Sequence, residues 1–74
     1  MKFKIGDVVR IIKITNLDDA EGHEDELLGA IGIIEDIDPN YHYQYELCFE
    51  DERLNELGLS WWGEEELELI EKTL

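Results

Sequence analysis

Seventy-four residues make one small domain, of a size that buries only about 60% of its unfolded surface. An apolar content of 43% is ordinary for a globular protein and argues against simple disorder. Twenty carboxylates against six cations leave a formal net charge of -14 at pH 7, a surface that repels nucleic acid and anionic membranes and attracts basic partners.

Along the chain, Lys4-Ile5-Gly6-Asp7 reads as a turn that launches a first strand over Asp7 to Ile14, rich in β-branched residues. A period of two puts Ile5, Val9 and Ile11 on one face and Val8 and Ile12 on the other. Residues 15–28 read as a long acidic loop with a helical turn near Glu24 to Leu28, anchored by Leu17, Leu27 and Leu28. Gly29 to Ile37 is the second strand, with Gly32 a bulge or close-approach point. Asp38-Pro39-Asn40 signals a turn, because proline presets φ and asparagine tolerates the left-handed region. Tyr41 to Phe49 then alternates, with Tyr43, Tyr45, Leu47 and Phe49 on one face and Gln44, Glu46 and Cys48 on the other. Leu54 and Leu57 share one helical turn that Gly58 stops. Trp61-Trp62 opens a fourth segment, Gly63-Glu64-Glu65 turns, and Glu66 to Ile70 alternates as a closing strand.

These elements predict an all-β fold, a single small barrel of four to five antiparallel strands over residues 1–74, with the acidic loop after the first strand. The charge is uneven. Residues 1–14 hold Lys2, Lys4, Arg10 and Lys13 against Asp7 alone, a local +3, whereas residues 15–74 carry a local -17. Self-repulsion on this scale costs stability, so the melting temperature is expected to rise with added NaCl, checked by thermal scans across ionic strength. Cys48, the one cysteine, excludes an intrachain disulfide. No leader pattern opens the chain and no apolar run approaches the roughly 18 residues of a membrane span, so a cytoplasmic protein is expected.

Phe3 to Ile11 (FKIGDVVRI) resembles the first strand of SH3-like barrels of the KOW sort, and Gly29 to Ile37 (GAIGIIEDI) resembles their second. Tyr43 to Phe49, Trp61-Trp62 and Glu66 to Ile70 together resemble the end of small SH3-like proteins of phages and prophages of Gram-positive bacteria. The resemblance implies an SH3-like barrel of phage or mobile-element origin, and many functions sit on such barrels.

Little in the sequence carries covalent chemistry. His23, His42, Cys48 and Ser60 form no nucleophile–base motif, so no catalytic residue and no enzyme activity is expected. Asp36-x-Asp38-x-Asn40 opens like a calcium loop, but Tyr41 and Leu47 stand where that loop needs Gly and Glu. One cysteine and two scattered histidines supply no zinc site, and no metal or cofactor is expected. Direct nucleic-acid binding needs cations that release counterions, and four basic residues in a field of opposite sign do not provide it.

Three binding readings remain. In the first, a non-catalytic inhibitor uses closely spaced acids to imitate phosphates and occupy the nucleic-acid groove of a host enzyme, such as a defence nuclease, with a basic surface. Its candidates are Asp18, Asp19, Glu21, Glu24, Asp25 and Glu26, backed by Glu50, Asp51 and Glu52 and by Glu64, Glu65 and Glu66. In the second, Tyr41, Tyr43, Trp61 and Trp62 with the acidic loop form an SH3-type groove for basic proline-rich peptides, with one tryptophan buried and the other partly exposed. In the third, the chain is a phage assembly part or subunit whose interface uses Val8, Ile12, Ile33 and Leu59, or a homodimer paired strand to strand. The size of the charge favours the first.

Overall fold

A computed structural model describes Lys2 to Thr73 as five strands and three single-turn helices: β1 (Val8–Ile11), α1 (Leu17–Ala20), α2 (Glu24–Leu27), β2 (Ile31–Ile37), β3 (Tyr45–Phe49), α3 (Glu52–Asn55), β4 (Trp61–Trp62) and β5 (Leu67–Glu71). A 3-10 turn, Glu64–Glu66, sits between β4 and β5. All the paired strands run antiparallel in one sheet, in the order β4-β3-β2-β1-β5.

That order has a geometric consequence. In a flat sheet the two edges would lie about 19 Å apart, four strand spacings of roughly 4.8 Å. Yet β4 and β5 are joined only by Gly63 and the 3-10 turn, whose rise is about 2 Å per residue. The sheet therefore curls until its edges approach. It does not close: among the described residues the ladders end at β4 and β5.

The curl encloses the core. Val9 and Ile11 of β1, Ile34 of β2, Tyr45, Leu47 and Phe49 of β3, Trp62 of β4 and Leu67 of β5 all turn inward, as the alternation on β1 and β3 predicts. Phe3 fills the place expected of Ile5, which is 58% exposed because the turn at Gly6, with φ of 95°, swings it outward. Gly32 is a close-approach point, as expected: a Cβ there would meet the Cys48 carbonyl oxygen at 3.1 Å. The bulge falls instead at Glu35, between Ile34 and Asp36.

Residues 15–28 hold the helical turn expected near Glu24 to Leu28, as α2, and a further one, α1, that was not expected. Asn16 caps α1, accepting from the Asp19 amide at 3.4 Å, and Ala20 and Leu27 bury one side of each helical turn. Leu17 and Leu28 stay exposed, so the anchoring falls to Ala20 and Leu27. Leu54 anchors α3, and Gly58 with φ of 76° ends its last turn.

Two buried carboxylates tie the ends and turns together. Asp7 accepts from the Lys4 amide at 2.9 Å and from the Thr73 amide at 2.8 Å. Glu66 accepts from the Gly63 amide at 2.8 Å, and from the Thr15 amide and hydroxyl at 2.8 and 3.0 Å. On the outer face, Glu46 of β3 lies opposite Asp36 and near Glu35. Partial burial, then the charges of Glu35 and Asp36, raise its pKa above the ordinary carboxylate range. A raised folded-state pKa favours the fold below the ordinary range and loses that contribution as pH climbs through the raised value. Glu46→Gln is therefore expected to stabilise the domain by about 0.5 kcal/mol at pH 7 and by little at pH 4, checked by urea denaturation at both pH values.

Candidate functional site

A cleft of about 110 Å³ opens between the α1 segment and the aromatic residues that flank β3 and β4. Asn16, Asp19 and Ala20 form one wall, Tyr41, Tyr43 and Trp61 the other, and Gly58 to Ser60 close one end. Trp62 and Glu66 also line it, both buried side chains of the adjoining core.

Local sequence explains each wall. Residues 38–44 leave the hairpin ladder after Asp38, whose carboxylate accepts from the Asn40 amide at 3.0 Å and whose carbonyl accepts from Tyr41 at 3.2 Å. The tight turn lifts Tyr41 and Tyr43 off the sheet, so Tyr43 is not a strand residue, although the alternation had assigned it to one. Tyr41 then packs edge-on against both neighbours, 5.9 Å from Tyr43 and 5.8 Å from Trp61 between ring centroids. The interplanar angles are 82° and 77°, and all three rings line the cleft. Tyr41 is 47% exposed, and Trp61 and Tyr43 are half-buried. Trp62 is 4% exposed and donates its indole N–H to the Leu59 carbonyl at 2.9 Å, which makes it core. One tryptophan in and one partly out is the expected division.

On the opposite wall Asn16 does two jobs. Its carbonyl oxygen caps α1, and its amide group donates to Asp19 Oδ2 at 2.6 Å. The Asp19 carboxylate is thereby held on the rim with its second oxygen free of that bond. An anion and three aromatic faces across a narrow gap suit a cationic group: the carboxylate attracts it, and the ring quadrupoles add about 0.5–2 kcal/mol each as it is desolvated.

The other acidic candidates are dispersed. Asp18, Glu21 and Asp25 are exposed, and Glu24 turns back to accept from the Gly22 amide at 3.0 Å. Glu26 lies 3.2 Å from His23 Nδ1, an ion pair only when the histidine is protonated. Glu26, Glu50 and Asp51 meet around a shallow depression floored by Leu28, Ala30 and Leu54. Arg53 grips the Asp51 carboxylate at 2.9 and 3.2 Å and lowers its pKa, chiefly by that hydrogen bond. Glu52 is exposed on α3. Glu64 and Glu65 face a separate hollow with Lys2, His42 and Gln44. Glu66, grouped with them by sequence, is 1% exposed and belongs to the interior: the 3-10 turn rotates it inward, which a strand reading beginning at Glu66 does not anticipate.

Two features escaped the sequence reading. Asn16-x-x-Asp19 is a helix-start signature, polar cap followed three residues later by an acid, and it marks the α1 wall. Gly63-x-x-Glu66 has the same spacing, with Glu66 reaching back to the Gly63 amide. Among the described residues no group of three or more His, Cys, Asp or Glu is placed to hold a metal ion, and no helix is long and apolar enough to cross a membrane. Comparison with protein-family models, curated proteins and solved structures returned no match for this chain.

Proposed function

We propose that this chain is a non-catalytic protein-binding module of SH3-like architecture that seats an extended, basic segment of a partner protein in the cleft between α1 and the Tyr41–Trp61 wall. The observation that carries the reading is the convergence of Asp19, Tyr41, Tyr43 and Trp61 on one cleft from three separate stretches of chain. The strand order, with a 3-10 turn linking the two sheet edges, supports the SH3-like assignment. The phage or mobile-element origin suggested by the sequence resemblance belongs to the same proposal. Electrostatics adds speed rather than shape: a net charge of -14 steers a basic partner toward the domain, and the aromatic cleft then selects the segment.

The test is an NMR titration of the domain with a decapeptide that combines prolines with arginine. Shifts confined to Asp19, Tyr41, Tyr43, Trp61 and their neighbours are expected. Trp61→Ala should weaken binding at least tenfold while leaving the buried Trp62 in place. No shift at millimolar peptide would sink the reading.

A second reading keeps the acids as the active surface, in a phage-encoded inhibitor that imitates nucleic acid against a host enzyme. The meeting of Glu26 with Glu50 and Asp51 around one depression favours it. That reading requires charge reversal at Glu26 and Glu50 to abolish capture of a nucleic-acid-binding enzyme from host lysate, and release of the enzyme as salt rises.

A further inference from the structure

Both walls of the cleft end on the same side chain. Glu66 Oε1 accepts from the Gly63 amide, the residue after Trp61-Trp62, at 2.8 Å. Glu66 Oε2 accepts from the Thr15 amide at 2.8 Å and the Thr15 hydroxyl at 3.0 Å, one residue before the Asn16 cap of α1. The two anchor points are 48 residues apart in sequence, Thr15 against Gly63, and no strand ladder joins them directly. The carboxylate is 1% exposed and lies beneath the cleft that Asp19 and Trp61 rim. Gly63 packs between it and the aromatic wall: a Cβ there would make ordinary contacts, 3.4 Å from Glu66 Oε1 and 3.7 Å from the Tyr43 ring.

We infer that Glu66 is the positioning residue of this site, a single buried carboxylate that ties the α1 arm to the β4 wall and so sets the gap between Asp19 and the aromatic rings. A carboxylate suits the task because its two oxygens accept from both sides at once. A glutamine has one accepting oxygen and would turn its own N–H groups toward either the Gly63 amide or the Thr15 amide, so one of these two backbone donors must lose its acceptor. Thr15 separates the arm from the turn: Thr15→Val removes the hydroxyl bond at nearly constant shape, and Thr15→Ser keeps it. For its effect on ligand the inference rests on the cleft being the binding site; for its effect on the arm it does not.

The experiment is amide hydrogen exchange by NMR on the whole chain and its Thr15→Val, Thr15→Ser and Glu66→Gln variants, at a temperature where each is folded by circular dichroism. The same samples are titrated with the proline–arginine decapeptide. Thr15→Val and Glu66→Gln are expected to speed exchange at Thr15, Asp19 and Ala20 at least tenfold, with Ile34 and Leu47 of the sheet unchanged. Thr15→Ser should restore the protection, and the peptide affinity of Thr15→Val should fall at least fivefold. Unchanged exchange in the arm would overturn the inference. So would acceleration spread evenly over the sheet, which marks a residue that only stabilises. If the unaltered chain ignores the peptide, the binding proposal fails, and the exchange pattern still decides the role of Glu66.

Discussion

Tyr45→Ala is expected to leave the chain largely unfolded at 25 °C. Tyr45 is fully buried at the start of β3, paired across to Ile37 of β2 on one side and Trp62 of the edge strand β4 on the other. Its ring meets Phe3 edge-on at 5.2 Å between centroids, which closes the N-terminal end of the core. Truncating a buried aromatic costs about 3–5 kcal/mol, through lost burial and the cavity left behind. A domain of this size holds roughly 4–11 kcal/mol in all, so the loss takes a large share of it. Tyr45→Phe keeps the ring and forfeits only the bond its hydroxyl receives from the Phe3 amide at 3.4 Å, a loss of about 0.5–1 kcal/mol. Urea denaturation followed by circular dichroism separates the two. A folded, cooperative Tyr45→Ala domain would show that the core is held elsewhere.

Asp7→Ala is the second large effect, and it carries a pH signature. The substitution strips acceptors from the amides of Lys4 and Thr73 and opens the joint between the first turn and the end of the chain. Each donor left in partly buried surroundings costs about 1–3 kcal/mol. Hydrogen bonds from Thr73 and then Lys4 hold the Asp7 pKa below the ordinary carboxylate value, with the cations of Lys4 and Lys72 adding to them. A depressed folded-state pKa gives stability that is present above the ordinary aspartate range and is lost as pH falls through the depressed value. The difference between wild type and Asp7→Ala should therefore be constant from neutral pH down to about 5 and narrow below 4. Denaturant melts at pH 7, 5 and 3 measure it. A difference that widens toward pH 3 would show that the Asp7 carboxylate is not the group responsible.

How much of this could be read in advance depends on what each residue answers to. The strands were legible because burial on one face imposes a period of two: Val9 and Ile11, then Tyr45, Leu47 and Phe49, are core in both sequence and structure. The hairpin turn at Asp38-Pro39-Asn40 and the stop at Gly58 were legible because their backbone needs are local. In residues 15–28 the turn near Glu24 to Leu28 was legible, and α1 was not. Charge dominates their composition, and the two helical turns depend on small contributions from Asn16 and Ala20 and on packing against distant strands. Glu66 was assigned to the surface because a carboxylate is almost never fully buried unless its acceptors are met. Its three donors lie on Thr15 and Gly63, and only the folded topology brings them together. The aromatic candidates Tyr41, Tyr43, Trp61 and Trp62 all line one cleft, Trp62 from the core, and that Asp19 lines it with them is a fact of the fold.

The pairing of β1 with β5 also sets a schedule for the chain's birth. Val8 lies opposite Glu71, and the Asp7 carboxylate waits for the amide of Thr73, 66 residues later. β1 is thus among the last strands of the sheet to be completed, because half of its ladder arrives only with β5. Contacts of such long sequence separation are slow to form, since the loop must close before they reward it. On the ribosome the β2–β3 hairpin can form as soon as it emerges, whereas β1 must remain half-paired until residue 73 has cleared the exit tunnel. Closure of the domain therefore waits for β5, however early its central hairpin forms.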